Sequence, residues 1–364
     1  MNTSFPLNLH ELQSLAEAKL PRMVFDYFAG GANDELLLDS TRDDWNAIAL
    51  RYRVMRNVSS RSHTCKVLGE QLEWPILVAP MALQQMAHPD GELATARASA
   101  QSGCGMILST LSTFAIEQVR DAMREHSATT PLWFQLYIER DRGHTQALVK
   151  RAELGGATAL VLTVDTPVLG RRERDIRNQF HLPDGHVTPH LFETTKLGEA
   201  PQDKASALAT YIARKWDDSI EWPDLEWLRS ITSLPILVKG VVRGDDALLA
   251  LDHGATGVIV SNHGGRQLDA AITTPRALRE VANAMNGRGT LLVDGGIRRG
   301  ADIVRAIAMG AHAVLLGRPV LWSLAIGGAD AVASTLGLLR AEFDMAMALC
   351  GCRSVPEISA DLIG

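Results

Sequence analysis

The stretch from residue 235 to residue 261, PILVKGVVRGDDALLALDHGATGVIVS, contains the unit that decides the fold. Two apolar runs, Pro235–Lys239 and Gly257–Ser261, enclose the segment Gly244–Asp252, whose apolar residues recur at three- and four-residue spacing. In the turn His253-Gly254-Ala255, glycine can end a helix in the left-handed conformation before the second run begins. The pattern predicts a strand, a helix and a second strand. Both runs are apolar throughout, which is typical of parallel strands covered on both faces.

The same unit recurs along the chain. The predicted strands are Pro75–Ala79, Gly105–Ser109, Leu132–Leu136, Ala159–Val164, Pro235–Lys239, Gly257–Ser261, Thr290–Asp294 and Ala313–Leu316. The predicted helices between them are Gly91–Ser102, Ala115–Arg124, Thr145–Leu154, Gly244–Asp252, Pro275–Met285 and Gly300–Met309. Most strands begin about 22 to 33 residues after the previous one, the length of a strand, a helix and two loops. Eight such repeats predict an α/β protein with a closed (β/α)8 TIM barrel, in preference to an open doubly wound sheet.

We expect a single domain over residues 1–364. Residues 1–74 are interpreted as an N-terminal segment of short helices, 75–330 as the barrel, and 331–364 as a C-terminal helical segment. The fourth and fifth strands begin about 76 residues apart, far more than an ordinary connection requires. The part of this gap at about 177–215 is interpreted as a mobile, lid-like insertion at the barrel mouth rather than a disordered excursion.

Composition and charge narrow the class of protein. Of the 364 residues, 46% are hydrophobic and 21% are charged, which is typical of a soluble globular protein. The net charge of −6 argues against nucleic acid as a partner. We expect neither a signal peptide nor an apolar run of about 18 residues that would span a membrane. The spacing of the four cysteines suggests neither a zinc site nor a disulfide framework, so we expect a cytoplasmic protein without a metal.

Polar residues follow the predicted strands at their C-terminal ends, where barrel enzymes carry their chemistry. They are Gln135, Tyr137, Thr163, Asp165, Lys239, His263, Arg266, Asp294, Gly295, Gly296, Gly317 and Arg318. The glycines after the seventh strand and Gly317-Arg318 after the eighth predict a phosphate site. Because no Gly-x-Gly-x-x-Gly follows a strand, a mononucleotide is favoured over a dinucleotide.

Two of these positions suggest catalysis. His263 follows a buried strand and precedes Arg266 by three residues, which suits a base that removes a proton beside a guanidinium that holds a carboxylate. Asp165 could orient its imidazole. Lys239 could be a Schiff-base nucleophile, a stabiliser of an anionic cofactor or a phosphate contact, and its strand does not choose between them.

The sequence resembles the family of FMN-dependent 2-hydroxy-acid oxidases and dehydrogenases, which includes glycolate oxidase, lactate oxidase and mandelate dehydrogenase. The resemblance extends from LPRMVFDY at 20–27 to SVPEI at 354–358. Its most specific part is SNHGGRQLD at 261–269, which looks like the family's active-site signature. Further similar blocks are LTVDTP at 162–167 and the segments 234–240 and 294–300.

The resemblance implies an FMN cofactor and a role for each site residue. His263 would be the base, with Asp165 as its partner, and Tyr137 would contact the substrate hydroxyl. Arg172, Arg266 and Tyr27 would bind the substrate carboxylate. Lys239 would lie near flavin N1 and the C2 carbonyl, which argues against a Schiff base. The implied cofactor-binding residues are Ala82, Ser109, Gln135, Thr163, Lys239, Ser261, Asp294, Gly296, Arg298, Gly317 and Arg318.

Two pocket positions depart from glycolate oxidase. Met81 stands where that enzyme has a threonine, and Leu111 where it has an aromatic residue. The resemblance therefore implies an oxidase of (S)-2-hydroxy acids larger than glycolate, whether lactate, aliphatic or mandelate-like. The 2-oxo acid would be formed and O2 reduced to H2O2 (EC 1.1.3.-).

Three alternatives remain open at this point. A dehydrogenase of the same family would use a quinone or cytochrome acceptor, but the segment 177–215 lacks the apolar insertion of membrane-bound relatives. A barrel that binds FMN without chemistry is less compatible with His263, Asp165 and Arg266 together, and an enzyme with a Schiff base on Lys239 is the third alternative. We expect a homo-oligomer, a tetramer as in many family members, with no nucleic acid or membrane partner.

Overall fold

The N-terminal part of the chain combines helices with a hairpin. A computed structural model describes residues 6–191 and 207–364, so the part of the predicted lid at 192–206 lies outside the described residues. The first elements are α1 (Leu9–Lys19), α2 (Arg22–Ala29), α3 (Leu36–Ala47), β1 (Cys65–Val67) and β2 (Glu70–Leu72). The expectation that this segment is purely helical is therefore wrong at β1 and β2, which pair in antiparallel orientation.

The hairpin has a physical reason that is not local. Leu68 and Gly69 form its two-residue turn, with φ of +53° and +81°. Asn-Gly is a common sequence in turns of this conformation, whereas Leu-Gly does not predict one. Val67 and Leu72 pack into the core inside the barrel. Burial of these side chains at the end of the barrel opposite the C-terminal mouth stabilises a hairpin whose own sequence has little turn signal.

Eight parallel strands form the closed barrel, and the expected (β/α)8 fold is confirmed. They are β3 (Ile76–Val78), β4 (Gly105–Leu108), β5 (Leu132–Leu136), β6 (Leu160–Thr163), β7 (Ile236–Val241), β8 (Gly257–Val260), β9 (Thr290–Val293) and β10 (Ala313–Leu316). Closure occurs where β10 pairs with β3.

The remaining helices surround the barrel. They are α4 (Gly91–Gln101), α5 (Ile116–Arg124), α6 (Arg142–Leu154), α7 (Glu173–Arg177), α8 (Ala207–Lys215), α9 (Trp222–Ser230), α10 (Gly244–Asp252), α11 (Thr274–Met285), α12 (Gly300–Ala308) and α13 (Arg318–Cys350). As predicted, Gly254 has a left-handed φ of +94° in the turn that leads into β8, and Gly156 and Gly310 have φ of +87° and +106° in the corresponding turns before β6 and β10.

Helix α13 is longer and more apolar than the sequence led us to expect. Its mean hydropathy reaches 1.3 over 18 residues, which meets the length and composition of a membrane span and contradicts the expected absence of such a run. However, 61% of that window is buried inside the protein. Gly327 and Gly328 interrupt the helix with non-helical backbone angles, close to the expected boundary at 330/331. The helix packs against α1, α4 and α12.

The alternation of side chains along the strands builds the site. Inward-facing residues form an apolar core inside the barrel: Leu77, Ile107, Trp133, Ala159, Val161, Leu237, Ile259, Leu292, Ala313 and Leu315. Because successive side chains point to opposite faces, the next inward position lies two residues further along each strand. These positions hold Ala79, Ser109, Gln135, Thr163, Lys239, Ser261, Asp294 and Gly317. The apolar core therefore passes directly into a polar layer at the C-terminal mouth.

Candidate active site

A cavity opens at this mouth, with a volume of about 1180 Å³ that includes the space at its entrance. Cofactor and ligand pockets commonly measure ~300–1,000 Å³. Predicted site residues that line it are Tyr27, Met81, Ala82, Ser109, Leu111, Gln135, Tyr137, Thr163, Arg172, Lys239, His263, Arg266, Asp294, Gly296, Arg298, Gly317 and Arg318. The remaining two, Asp165 and Ser261, stand directly behind the lining and hydrogen-bond to His263 and Lys239.

The imidazole of His263 is held by a carboxylate. Its Nδ1 lies 2.8 Å from Asp165 Oδ1. Thr166 Oγ1, 3.3 Å from Nδ1, also donates to Asp165 Oδ1 at 3.2 Å, and the sequence analysis missed this hydroxyl. The backbone of His263 has φ of +55°, an uncommon conformation for a residue with a side chain, and its N–H donates to Ser261 Oγ at 3.1 Å.

The electrostatics of this pair favour a neutral imidazole. Burial lowers the pKa of His263, and the opposing charge of Asp165 does not restore it. The pKa of Asp165 is also lowered, since its interaction with His263 and the positive charge of Lys239 outweigh the effect of burial. With Nδ1–H donated to an ionised Asp165, Nε2 is the ring atom that can accept a proton.

Two guanidinium groups give the cavity a positive region. Arg266 donates from Nη1 to the carbonyls of Tyr27 and Gly30 at 2.6 and 2.9 Å, and its guanidinium carbon lies 5.0 Å from the centre of the Tyr27 ring. Arg172 is buried, which together with the charge of Arg266 lowers its pKa to about 10. The nearby Asp175 acts in the opposite direction and raises the pKa of Arg172. This pair, with the phenol of Tyr27, can bind a small carboxylate.

Lys239 has the environment of a permanent cation. Its Nζ donates to Ser261 Oγ at 2.9 Å and lies 3.2 Å from Asp294 Oδ2. Burial acts to lower its pKa, but Asp294 and Asp165 raise the pKa above the usual lysine value. A Schiff-base lysine requires a lowered pKa, so this geometry argues against that alternative and for an electrostatic role.

Two further arginines, Arg298 and Arg318, line the cavity, and Arg318 lies beside Arg266, since both donate to the carbonyl of Gly30. Burial lowers their pKa values to about 10 and about 9. Arg318 donates to the carbonyls of Phe28 and Gly30 at 3.0 Å each, and Arg298 donates to the carbonyl of Ile297 at 2.8 Å. Two half-buried cations whose side-chain hydrogen bonds in the described structure go to carbonyls fit a phosphate dianion, which would restore their charge balance.

Residues distant in sequence hold the glycine loop beside these arginines. Trp45 Nε1 donates to the carbonyl of Gly295, and Arg42 Nη1 to that of Gly296, both at 2.8 Å. At Gly296, φ is +78° and a Cβ would lie 2.7 Å from Trp45 Cδ1. Asp302 accepts from two successive backbone N–H groups, those of residues 298 and 299, at 2.9 Å each. No sequence pattern marks Arg42 and Trp45 as site residues, and they lie about 250 residues away in the chain.

The C-terminal part of the predicted lid also reaches the cavity. Ile212 of α8 and Trp216 just after it line the wall, and neither was predicted. Backbone hydrogen bonds fix this segment. The N–H of Arg140 donates to the carbonyl of Lys215 at 2.8 Å, and the N–H of Asp217 donates to the carbonyl of Ile138 at 3.0 Å. The mobility of the lid stays a prediction.

Comparisons with known proteins agree with this geometry. The sequence profile of the FMN-dependent dehydrogenase family matches residues 16–364. The chain belongs to the FMN-dependent dehydrogenase family. An L-lactate oxidase from Nostoc sp. is 49% identical over 99% of this chain and 98% of the relative. Glycolate oxidase 3 from Arabidopsis thaliana is 49% identical, covering 97% and 94%. A crystal structure of mandelate oxidase with (S)-4-hydroxymandelic acid superimposes with a TM-score of 0.92 at 39% identity, covering 97% of each chain.

Membership of this family makes FMN the cofactor, as expected, and the residues present fit it. Arg298 and Arg318 would hold its phosphate. Among the described residues, Gln135 Nε2 and Asp294 Oδ1 are buried polar atoms without a hydrogen-bond partner. Both side chains line the cavity, so the polar edge of a flavin and the hydroxyls of a ribityl chain would satisfy them.

Proposed function

We propose that the protein oxidises (S)-2-hydroxy acids larger than glycolate, with L-lactate as the first candidate, and that O2 accepts the electrons and becomes H2O2. The oxidase relatives confirm the enzyme class expected from the sequence, an FMN-dependent 2-hydroxy-acid oxidase. The observation that carries the proposal is the contact between His263 Nδ1 and Asp165 Oδ1 at 2.8 Å, which leaves Nε2 as the ring atom that can accept a proton. Arg172 and Arg266 lie in the same cavity to receive a carboxylate.

Each residue has a part in the proposed reaction. Arg172 and Arg266 bind the substrate carboxylate and so place C2 near His263. His263 Nε2 accepts the proton that leaves the C2 hydroxyl or C2 itself, since the hydride and carbanion routes use the same residues. Asp165 then stabilises the imidazolium. FMN, when bound, would supply the two-electron redox chemistry that links the oxidation at C2 to the reduction of O2.

Tyr137 and Lys239 complete the arrangement. Burial and the nearby Asp165 raise the pKa of Tyr137, so the phenol keeps its proton and can donate a hydrogen bond to the substrate hydroxyl oxygen. Lys239 keeps its positive charge because of Asp294 and Asp165. A fixed cation in a water-poor site stabilises negative charge that develops on the cofactor side.

The proposed substrate size rests on the cavity wall. Met81 and Leu111 line it with apolar side chains, and Ile212 and Trp216 contribute further apolar surface. Such a wall favours a substrate with a hydrocarbon side chain over glycolate, which has none. The L-lactate oxidase relative supports lactate, and the mandelate oxidase structures support testing larger acids.

The decisive experiment compares kcat/KM for glycolate, L-lactate, (S)-2-hydroxyoctanoate and (S)-mandelate, with peroxide as the product measured. We expect kcat/KM for L-lactate to exceed kcat/KM for glycolate by roughly tenfold or more. This factor corresponds to the free energy of burying about one or two methylene groups. An anaerobic titration should bleach the flavin absorbance, and air should restore it. Glycolate as the best substrate would overturn the size proposal, and fast turnover only with an artificial acceptor would overturn the oxidase.

We further propose a cytoplasmic homotetramer. Free thiols at Cys65, Cys104, Cys350 and Cys352 support a reducing compartment. The exposed side chains of Tyr52, Val54 and Met55 lie beside exposed residues at the end of α13, since the N–H of Arg53 donates to the carbonyl of Cys350 at 3.3 Å. An apolar surface of this kind supports self-association. Light scattering after size exclusion tests it, and a mass of 39.5 kDa, the monomer value, would contradict it.

A further inference from the structure

A buried histidine outside the proposed reaction connects the long loop to the cavity wall. His190 lies after α7, near the end of the described residues that precede position 192, and is 2% exposed. Its Nδ1 is 3.0 Å from Ser112 Oγ, and its Nε2 accepts the backbone N–H of Ile116 at 3.1 Å. The ring of Phe134 meets it edge to face, with centroids 5.2 Å apart.

The hydrogen bonds define the state of this ring. Ser112 Oγ donates its hydrogen to the carbonyl of Phe114 at 2.9 Å, so the oxygen accepts from Nδ1–H of His190. Nε2 must carry a lone pair, because the N–H of Ile116 points at it. His190 is therefore neutral, and a proton on Nε2 would oppose that N–H.

The surroundings support the neutral form. Burial lowers the pKa of His190 to about 4, the charge of Arg151 adds to this effect, and Glu117 opposes it. Arg151 also anchors the long loop directly, since its Nη1 donates to the carbonyl of Pro189 at 2.6 Å. The loop is thus attached to the barrel at two adjacent residues, 189 and 190.

The segment that His190 contacts carries one wall of the substrate pocket. We call residues 109–116 the Leu111 loop, since Leu111 lines the cavity. On its other side, the N–H of Leu83 donates to the carbonyl of Leu111 at 3.0 Å, and Thr113 donates to the buried Glu92 through its backbone and its hydroxyl. His190 contacts this loop from the side of the long loop, through Ser112 and Ile116.

We propose that His190 is a positioning residue for substrate specificity, whose neutral ring holds the Leu111 loop at the place that sets the size of the pocket. This inference rests on the proposed function, because it concerns the discrimination between 2-hydroxy acids. Loss of the ring would free Ser112 and the N–H of Ile116 and let Leu111 shift. Discrimination would then decrease while the chemistry at His263 remained.

The test uses the full-length holoenzyme and three variants. His190→Ala removes both hydrogen bonds, whereas His190→Gln keeps one donor and one acceptor. His186→Ala is the matched control, because that histidine lies in the same loop and its ring contacts the carbonyl of Pro183 at 3.2 Å. We would measure kcat and KM for L-lactate and (S)-2-hydroxyoctanoate, together with hydrogen exchange at the amide of Ile116.

For His190→Ala we expect the KM for L-lactate to rise roughly tenfold with little change in kcat, as fits the loss of one or two buried hydrogen bonds. The ratio of kcat/KM for L-lactate to kcat/KM for (S)-2-hydroxyoctanoate should fall by a similar factor, and the Ile116 amide should exchange faster. His190→Gln should restore most of both properties, and His186→Ala should resemble the wild type.

Two results would overturn the specificity role. Faster exchange at Ile116 with an unchanged ratio of kcat/KM would make His190 a structural contact alone. Unchanged exchange in His190→Ala would show that the ring does not hold the loop. Failure of the wild type to oxidise any 2-hydroxy acid is a different outcome, since it removes the proposed function itself and the specificity role with it.

Discussion

The indole ring of Trp216 lies against the phenol ring of Tyr137, with centroids 3.6 Å apart and planes 19° from parallel. Trp216 is 4% exposed and comes from the segment that follows α8, whereas Tyr137 follows the barrel strand β5. The stack therefore joins the end of the long insertion to a residue that we propose contacts the substrate hydroxyl.

This stack leads to a prediction about Trp216. Replacement by leucine frees the phenol of Tyr137 and enlarges the cavity. The value of kcat for L-lactate should therefore fall about three- to tenfold, which corresponds to the stacking energy of an aromatic pair. Relative activity on (S)-mandelate should rise. Trp216→Phe should retain most of the activity.

Trp222→Leu is the control, because Trp222 stacks on His253 at 6.1 Å and does not line the cavity. Steady-state kinetics on the two acids provide the measurement. Identical kinetic constants for Trp216→Leu and the wild type would refute a role for the stack.

The His263–Asp165 pair predicts a pH dependence. Because the pKa of His263 is lowered below its usual 6.5, kcat/KM should be constant above that pH and fall at lower pH, as the base becomes protonated. Asp165→Asn should reduce kcat/KM by ~10²–10⁴-fold. It should also move the acid limb to lower pH, since the carboxylate stabilises the protonated ring.

Profiles of kcat/KM from pH 5 to 8 for both proteins test this expectation, with FMN content as the check on folding. An acid limb that stays in place in the variant would point to a different base.

The two arginines proposed to bind the phosphate, Arg298 and Arg318, predict a discrimination between two flavins. Arg318→Ala or Arg298→Ala should weaken FMN binding by ~10–100-fold, the loss of a charge-assisted hydrogen bond, and should leave riboflavin binding almost unchanged because riboflavin lacks the phosphate. Quenching of flavin fluorescence measures both dissociation constants.

Arg299→Ala is a suitable control, since Arg299 is adjacent in sequence, pairs with Glu342 at 2.5 Å and does not line the cavity. Equal losses for FMN and riboflavin would mean that the arginines support the fold rather than the phosphate.

His190 predicts a pH dependence of stability that is separate from activity. Its pKa is about 4 in the folded protein and about 6.5 when unfolded, so the unfolded state binds the proton more readily. The stabilisation is fully present above pH 6.5 and is lost as the pH falls towards 4, by up to ~1.4 kcal/mol per pH unit.

The difference in denaturation midpoint between the wild type and His190→Gln should therefore vary with pH below 6.5 and be constant above it. Denaturant titrations at pH 5, 6, 7 and 8 measure it. Parallel curves over the whole range would show that His190 does not titrate on unfolding.

Local periodicity was sufficient to predict the barrel and much of its rim. The bounds of β5 (Leu132–Leu136) and β10 (Ala313–Leu316) agree with the prediction at both ends, because apolar runs and flanking turn residues lie within a few positions of each other. Strand alternation places Lys239 and Asp294 at the mouth for the same reason. The resemblance supplied the proposed role of each rim residue, and that role stays a prediction until the variants are measured.

Other features depend on contacts between distant parts of the chain. Trp45 holds the loop at Gly295, and Trp216 stacks on Tyr137, yet no local pattern marks either tryptophan. The raised pKa of Lys239, which argues against a Schiff base, comes from carboxylates on two other segments, Asp165 and Asp294. The sequence by itself determined the barrel and the polar residues at its rim, since both follow from short-range periodicity. Only the tertiary structure decided the charge states of these rim residues, the contacts that support them and the position of Trp216 in the cavity wall. The reason is that burial and Coulomb interactions depend on distance in space.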